Sequence, residues 1–235
     1  MSSPFLPIPS LRLALVAGLL STSTWTLAAG DGLAALGQFL AKTQSGSASF
    51  TQTVAAPKSV AAAAQGPGRY KVSTGQFAFA RPNRFRFDYQ TPYQQTIVAD
   101  GKTLWFYDHD LAQITASSQA AALQNTPATV ITGARSVADL QKQFHLINLP
   151  VAQASPISTA AGLLWVEAKP KTTGGTIVSL KVGMEPSPAG VQLKVIEVLD
   201  SLGQRSVMEF SGLKAAAAPH RFRFTPPAGV TVMQQ

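Results

Sequence analysis

From Tyr70 onward the chain keeps to a period of two residues, and that alternation restricts most of its length to strands. Gly75 to Arg81 places Phe77 and Phe79 on one side. The next segment sets Phe85, Phe87 and Tyr89 on one face, with Arg84, Arg86 and Asp88 on the other. Thr96–Ala99 and Thr103–Tyr107 flank Asp100-Gly101, a hairpin signal because both residues tolerate positive φ. A second turn at Asp108 to Asp110 leads into Gln113–Ala116. Further strands are expected at His145–Leu149, Leu163–Ala168, Thr176–Met184, Gln192–Leu199 and Arg205–Leu213, with glycines 162, 174, 175, 190 and 203 in their turns. The tail carries Arg221 to Phe224, then Thr225-Pro226-Pro227.

Two stretches break the pattern. Asp31 is placed to cap a helix from Gly32 to Thr43, whose Leu33, Leu36, Phe39 and Leu40 form an apolar stripe. Ser47 to Val54 then alternates, with Ala48, Phe50 and Val54 on one face. Between Ser117 and Phe144 the texture turns to Ala, Gln and Leu, and Asn125-Thr126-Pro127 supplies a helix start, so two or three short helices are expected. The fold class is therefore mainly β (α+β). About ten antiparallel strands form a curved sheet or incomplete β-barrel, with an N-terminal helix and a central helical insert able to cap the concave face.

Residues 1–29 read as an export signal: Arg12, the apolar run Leu13 to Leu20, and the small-residue site Thr26-Leu27-Ala28-Ala29. That run is far short of the roughly 20 residues that cross a bilayer. Residues 30–235 are then expected to form one domain. The sequence holds no cysteine, which closes thiol chemistry and a lipid-modified N-terminal cysteine. With 46% apolar and only 13% charged residues, it has much apolar surface to hide. The net charge of +8 is spread without a run of five or more, which speaks against nucleic acid and leaves an anionic lipid surface, an acidic partner or plain solubility. Ala55 to Gly68, rich in Ala, Pro and Gly, reads as a long loop.

Catalytic signatures are missing: no G-x-S-x-G, no phosphate-binding loop, no G-x-G-x-x-G and no H-E-x-x-H. His109 between Asp108 and Asp110 would suit a metal, yet the same residues make an ordinary polar turn, which is the reading adopted. No enzyme activity, cofactor or metal is expected. The informative group is the aromatic set Phe50, Phe77, Phe79, Phe85, Phe87, Tyr89, Trp105 and Tyr107, a wide apolar sheet face beside a helical segment.

Taken in order, Phe50-Thr51-Gln52, the run Ala80 to Tyr89 with Arg81-Pro82, the run Asp100 to Asp108, Gln113-Ile114-Thr115 and the run Phe222 to Val230 together resemble the motifs of the LolA-type carriers of outer-membrane lipoproteins. Ala80-Arg81-Pro82-Asn83-Arg84-Phe85-Arg86-Phe87-Asp88-Tyr89 is similar to their R-P-n-x-F-R-W/F signature. Asp100 to Asp108 resembles their D-G-k-T-L-W-x-Y-D hairpin, Gln113-Ile114-Thr115 the Q-v-T after it, and Phe50-Thr51-Gln52 their F-x-Q. Phe222 to Val230 resembles F-x-F-x-P-P-x-G-V. Phe87 stands where many members carry Trp, Ala80 replaces a bulkier residue, and the loop from Ala55 is longer than usual.

The resemblance implies an apolar cavity for lipoprotein acyl chains under a helical lid, here Ser117 to Gln141. It implies Arg81 as the latch that bonds lid backbone, and Phe85 at the cavity mouth. It also implies a monomer in the periplasm. Its partners would be acylated lipoproteins as cargo, an inner-membrane lipoprotein-releasing ABC transporter and an outer-membrane lipoprotein receptor. Two alternatives are a lipoprotein-sensing or lipid-binding regulatory domain of the same fold, and a secreted lipid hydrolase, for which no nucleophile and base stand out.

Overall fold

The computed structural model describes residues 31–55, 70–123, 128–150, 155–158 and 160–235. The expected export signal, all of the Ala55–Gly68 loop but Ala55, and the helix start at Asn125-Thr126-Pro127 lie outside the described residues.

The chain runs α1 (Gly32–Lys42), β1 (Ser45–Ala55), β2 (Tyr70–Ala80), β3 (Arg84–Thr91), β4 (Gln95–Ala99), β5 (Thr103–Asp108) and β6 (Gln113–Ser118). A short helix α2 (Gln119–Ala122), a π-turn (Thr129–Gly133) and α3 (Val137–Gln143) follow. Then come β7 (Phe144–Leu149), β8 (Leu164–Pro170), β9 (Ile177–Ser187), β10 (Gly190–Asp200), β11 (Arg205–Ala215), a 3₁₀ turn (Pro219–Phe222) and β12 (Thr231–Gln234). Among the described residues all strands join one sheet in the order β12-β6-β5-β4-β3-β2-β1-β11-β10-β9-β8-β7, so β12 and β7 are its edges and the barrel is incomplete.

Among the described residues twelve strands stand where about ten were expected, and eleven of them overlap the strand segments read from the sequence. The added one is β12, only four residues long and paired in parallel with β6, an exception to the expected antiparallel pattern. Too short to show alternation, it owes its conformation to the neighbouring edge. The insert is also shorter than expected: Ser117 and Ser118 end β6, and Phe144 begins β7.

α1 forms where its stripe and cap place it. Asp31 Oδ1 accepts the Ala34 N–H at 2.9 Å, and Asn148 Oδ1 of β7 accepts the Leu33 N–H at 2.8 Å, so two otherwise orphaned donors are satisfied. Ala35, Leu36, Phe39 and Leu40 are buried on the concave side of β7–β10. Close approach requires glycine at position 32, because a Cβ there would meet the Trp165 carbonyl oxygen at 2.4 Å. The opposite face of that half carries a smaller core of Leu149, Leu163, Trp165, Val195 and Val207.

Candidate functional site

The other half of the concave face is built by register. Phe77 lies opposite Phe87, Phe79 opposite Phe85, and Gly75 opposite Tyr89, so the aromatics of β2 and β3 share one surface. Phe77 stacks on Phe87 with ring centroids at 4.6 Å, and Phe50 meets Phe87 and Tyr89 edge-on at 5.5 and 5.0 Å. Gly75 makes room for that cluster, since a Cβ there would meet the Asp88 carbonyl at 2.1 Å and the Phe50 ring at 2.9 Å.

Above this surface lies a hollow of about 360 Å³, within the usual range for small-molecule sites. Its walls are Phe77, Phe85, Phe87, Tyr89, Ile97 and Leu104 on one side and Ile196, Val198 and Met208 on the other. Its roof is Ala122 and Leu123 with Ala128, Ile131 and Thr132. The polar side chains among the described lining residues are Gln52, Tyr89, Thr132 and Ser206. Thr132 spends its hydroxyl on the Ala128 carbonyl at 2.8 Å. The other three form one chain: Tyr89 Oη donates to Gln52 Oε1 at 3.0 Å, and Gln52 Nε2 donates to Ser206 Oγ at 2.9 Å. Burial pushes the Tyr89 hydroxyl up to about 12 from its ordinary 10.0.

The eight aromatics singled out in the sequence therefore divide three ways. Phe77, Phe85, Phe87 and Tyr89 face the hollow. Phe50 and Phe79 share their side of the sheet but lie beneath, 2% and 0% exposed, packed against Phe87, Tyr89 and Phe39. Trp105 and Tyr107 correct the expectation. They pair with Val98 and Thr96, while Ile97 between those two lines the hollow, so both rings point to the convex side. There Phe224 packs on them at 5.3 and 6.1 Å, and Trp105 Nε1 donates to Asp100 Oδ2 at 2.9 Å. Burial works to raise the Asp100 carboxyl, yet hydrogen bonds from the Thr103 amide, the Trp105 indole and the Lys102 amide hold it below the ordinary carboxylate range. The D-G-K-T-L-W motif thus builds a hairpin and a seat for the C-terminal segment. The Asp108-His109-Asp110 turn is closed by Asp108 Oδ1, which accepts the Asp110 and Leu111 amides, and His109 Nε2 bonds Thr96 Oγ1 at 3.0 Å.

Arg81 is buried beside Phe39 and Phe79, its guanidinium 5.1 and 5.4 Å from their ring centres. Its Nη1 donates to the carbonyl of Thr43, the residue that caps α1, while Nε and Nη2 have no partner among the described residues. Burial lowers its pKa to about 10, so it stays charged at neutral pH.

The bonds that reach the roof come from its neighbours. Asn83, at φ 57 in a left-handed conformation that Asn tolerates, donates its N–H to the Thr132 carbonyl at 3.0 Å. Gln119, 4% exposed, donates from Nε2 to the Asn83 carbonyl at 2.6 Å and accepts the Gly101 N–H at 2.9 Å, and its own N–H bonds the Lys102 carbonyl at 2.9 Å. Sequence reasoning missed Gln119, for a glutamine among alanines and glutamines carries no motif.

The family model described as outer membrane lipoprotein carrier protein LolA matches residues 41–226. An outer-membrane lipoprotein carrier protein of Albidiferax ferrireducens is 43% identical over 211 residues, covering 89% of this chain and 93% of its own. Another from Leptothrix cholodnii is 42% identical, covering 92% of each chain. A solved LolA superfamily structure from Nitrosomonas europaea is 14% identical, aligns over 83% of this chain and 96% of its own, and has a TM-score of 0.45. With the family model matched over most of its length and relatives above 40% identity on both sides, the chain belongs to the LolA family of outer-membrane lipoprotein carrier proteins.

Proposed function

We propose that the protein is a periplasmic carrier that takes the acyl chains of lipoproteins into the apolar hollow and delivers them to the outer membrane. The observation that carries this reading is the hollow itself: a curved sheet lays down Phe77, Phe85, Phe87, Ile97, Leu104 and Met208, and the segments that cover them among the described residues are short. A lipid anchor resists transfer through water, because each buried methylene is worth about 0.8 kcal/mol. A carrier therefore needs an equally oily surface. Release at the far membrane needs a roof that opens, since a site held shut would not unload.

Arg81 serves this cycle as a latch. Two of its nitrogens are buried without a partner among the described residues, and an orphaned donor costs about 1–3 kcal/mol. Roof carbonyls that move toward it would relieve that cost, and a guanidinium can serve several at once. Energy for loading comes from outside the chain, whose sequence shows no nucleotide-binding motif. An inner-membrane lipoprotein-releasing ABC transporter is the donor and a lipid-anchored outer-membrane receptor the acceptor. The carrier works as a monomer and carries out no chemical conversion.

Recovery of the protein from periplasm, followed by mass spectrometry, is expected to yield acylated peptides. Their absence from a protein recovered in folded form would end the carrier reading. Arg81→Leu is expected to load cargo but pass it poorly to receptor-bearing membranes, and unloading at the wild-type rate would remove the latch.

A further inference from the structure

The hollow does not end in open solvent on every side. Gln52, Tyr89 and Ile97 also line a smaller, more polar pocket of about 170 Å³, together with Lys71, Ser73 and Gln95. The Tyr89–Gln52–Ser206 chain therefore lies on the boundary between an apolar chamber and a polar one, and it crosses from β3 to β11 as a band.

The band's hydrogen-bond inventory is lopsided. Tyr89 donates its hydroxyl proton to Gln52, and Gln52 uses one amide N–H on Ser206. One further N–H of Gln52 and the O–H of Ser206 remain to be given. Turning the amide over exchanges which hydroxyl is left, not the count: one amide N–H and one hydroxyl still face outward. Two neutral donors without a cation in the band suit a neutral acceptor, whereas a phosphate would call for a charge-assisted bond. A purely aliphatic tail offers no acceptor at all.

We propose that Gln52 and Ser206, with Tyr89 holding the Gln52 amide in place, bind the ester or amide carbonyl at which an acyl chain joins its polar head. The inference rests on the reading that acyl chains fill the hollow, and it adds a depth gauge. Carbonyls stop at the band, tails run inward toward Phe77 and Phe85, and the head group lies in the polar pocket beside Lys71. A chain would then be held at a defined depth rather than sliding in an oily slot.

The test uses two lipopeptides with the same peptide and the same two sixteen-carbon chains, one a diester S-glyceryl-cysteine and one its diether counterpart. Affinity is read by displacement of a fluorescent apolar dye from the full chain. A hydrogen bond to each of one or two carbonyls predicts a diester preference of about 3–10-fold. In Gln52→Leu/Ser206→Ala the diester-to-diether ratio is expected to fall to about one. Should that double variant not fold, Tyr89→Phe, which removes only a hydroxyl, is expected to cut the preference by about half. Equal wild-type affinity for diester and diether overturns the carbonyl band and leaves the carrier reading standing. No binding of either overturns both. A diester preference that survives in whichever variant is folded also overturns the band. A diester phospholipid and its diether form, run as a second pair, separate the sources. The same ratio in both pairs supports a band that reads the carbonyl alone, and a ratio confined to lipopeptides supports one that reads acylated cysteine.

Discussion

Two halves of one concave face meet different fates. Over β7–β10 the face is sealed by α1, an eleven-residue helix whose Leu36, Phe39 and Leu40 are 2%, 2% and 0% exposed. Over β2–β5 the cover among the described residues is a four-residue helix and a five-residue π-turn, and a hollow of about 360 Å³, walled on its other side by β10 and β11, is left beneath. Both halves supply comparable apolar strands. What differs is the cover: a capped helix long enough to present a full stripe fills the concavity, while short pieces bridge it. Elements with few buried contacts are the ones that open first, so the same shortness that leaves space also makes the roof movable.

The largest contrast is expected in stability. Leu40→Ala removes a fully buried side chain from the sealed half and is expected to cost about 2–5 kcal/mol in denaturant unfolding. Phe87→Ala, on a wall already bordering empty space, is expected to cost less than Leu40→Ala and to fall below the about 3–5 kcal/mol usual for a buried Phe, because its loss enlarges a cavity rather than creating one. Equal losses at the two positions would erase the distinction between a filled and an unfilled half.

A smaller effect sharpens the contrast at the roof. Gln119→Ala leaves the Asn83 carbonyl and the Gly101 amide without their side-chain partner and is expected to cost about 1–2 kcal/mol. Hydrogen exchange should quicken in Thr129–Gly133 while α1 keeps its protection. Acceleration spread evenly over both would show that the two covers open as one unit. Asp31→Ala, at the opposite end, is expected to cost about 1 kcal/mol through its lost cap and to leave roof exchange unchanged.

The sealed half was easier to read in the sequence. α1 announces itself by Asp31 and a helical stripe, whereas in the open half alternation puts Phe77 with Phe79, and separately Phe85 with Phe87, on one face of its own strand. Alternation does not say which side of the sheet a strand's odd positions will meet, since that depends on pairing: Trp105 and Tyr107 look like more of the same wall until β5 lies against β4 and turns them to the convex face. Nor does it reveal contacts carried by backbone. The link from Asn83 to Thr132, and Gln119 between two turns, arise from chain geometry after folding. The Tyr89–Gln52–Ser206 band joins residues up to 154 positions apart, a distance no local pattern spans.

The weakest effect at neutral pH belongs to that band and appears only in alkali. The Tyr89 hydroxyl ionises near 10.0 when unfolded and near about 12 when folded, because burial disfavours the phenolate. The unfolded chain then loses the proton first, so stability from this group is intact below pH 10 and declines as pH rises toward about 12. Arg81 acts with the opposite sign, since burial lowers it from 12.5 to about 10 and the folded chain releases its proton earlier. The two partly cancel in the wild type, and their separation requires a difference measurement. Tyr89→Phe is expected to match the wild-type slope of stability with pH below 10 and to fall less steeply, or rise, between 10 and 12. Parallel curves for the two proteins across that window would mean that Tyr89 sits in water, and the boundary of the hollow would then lie deeper than Gln52.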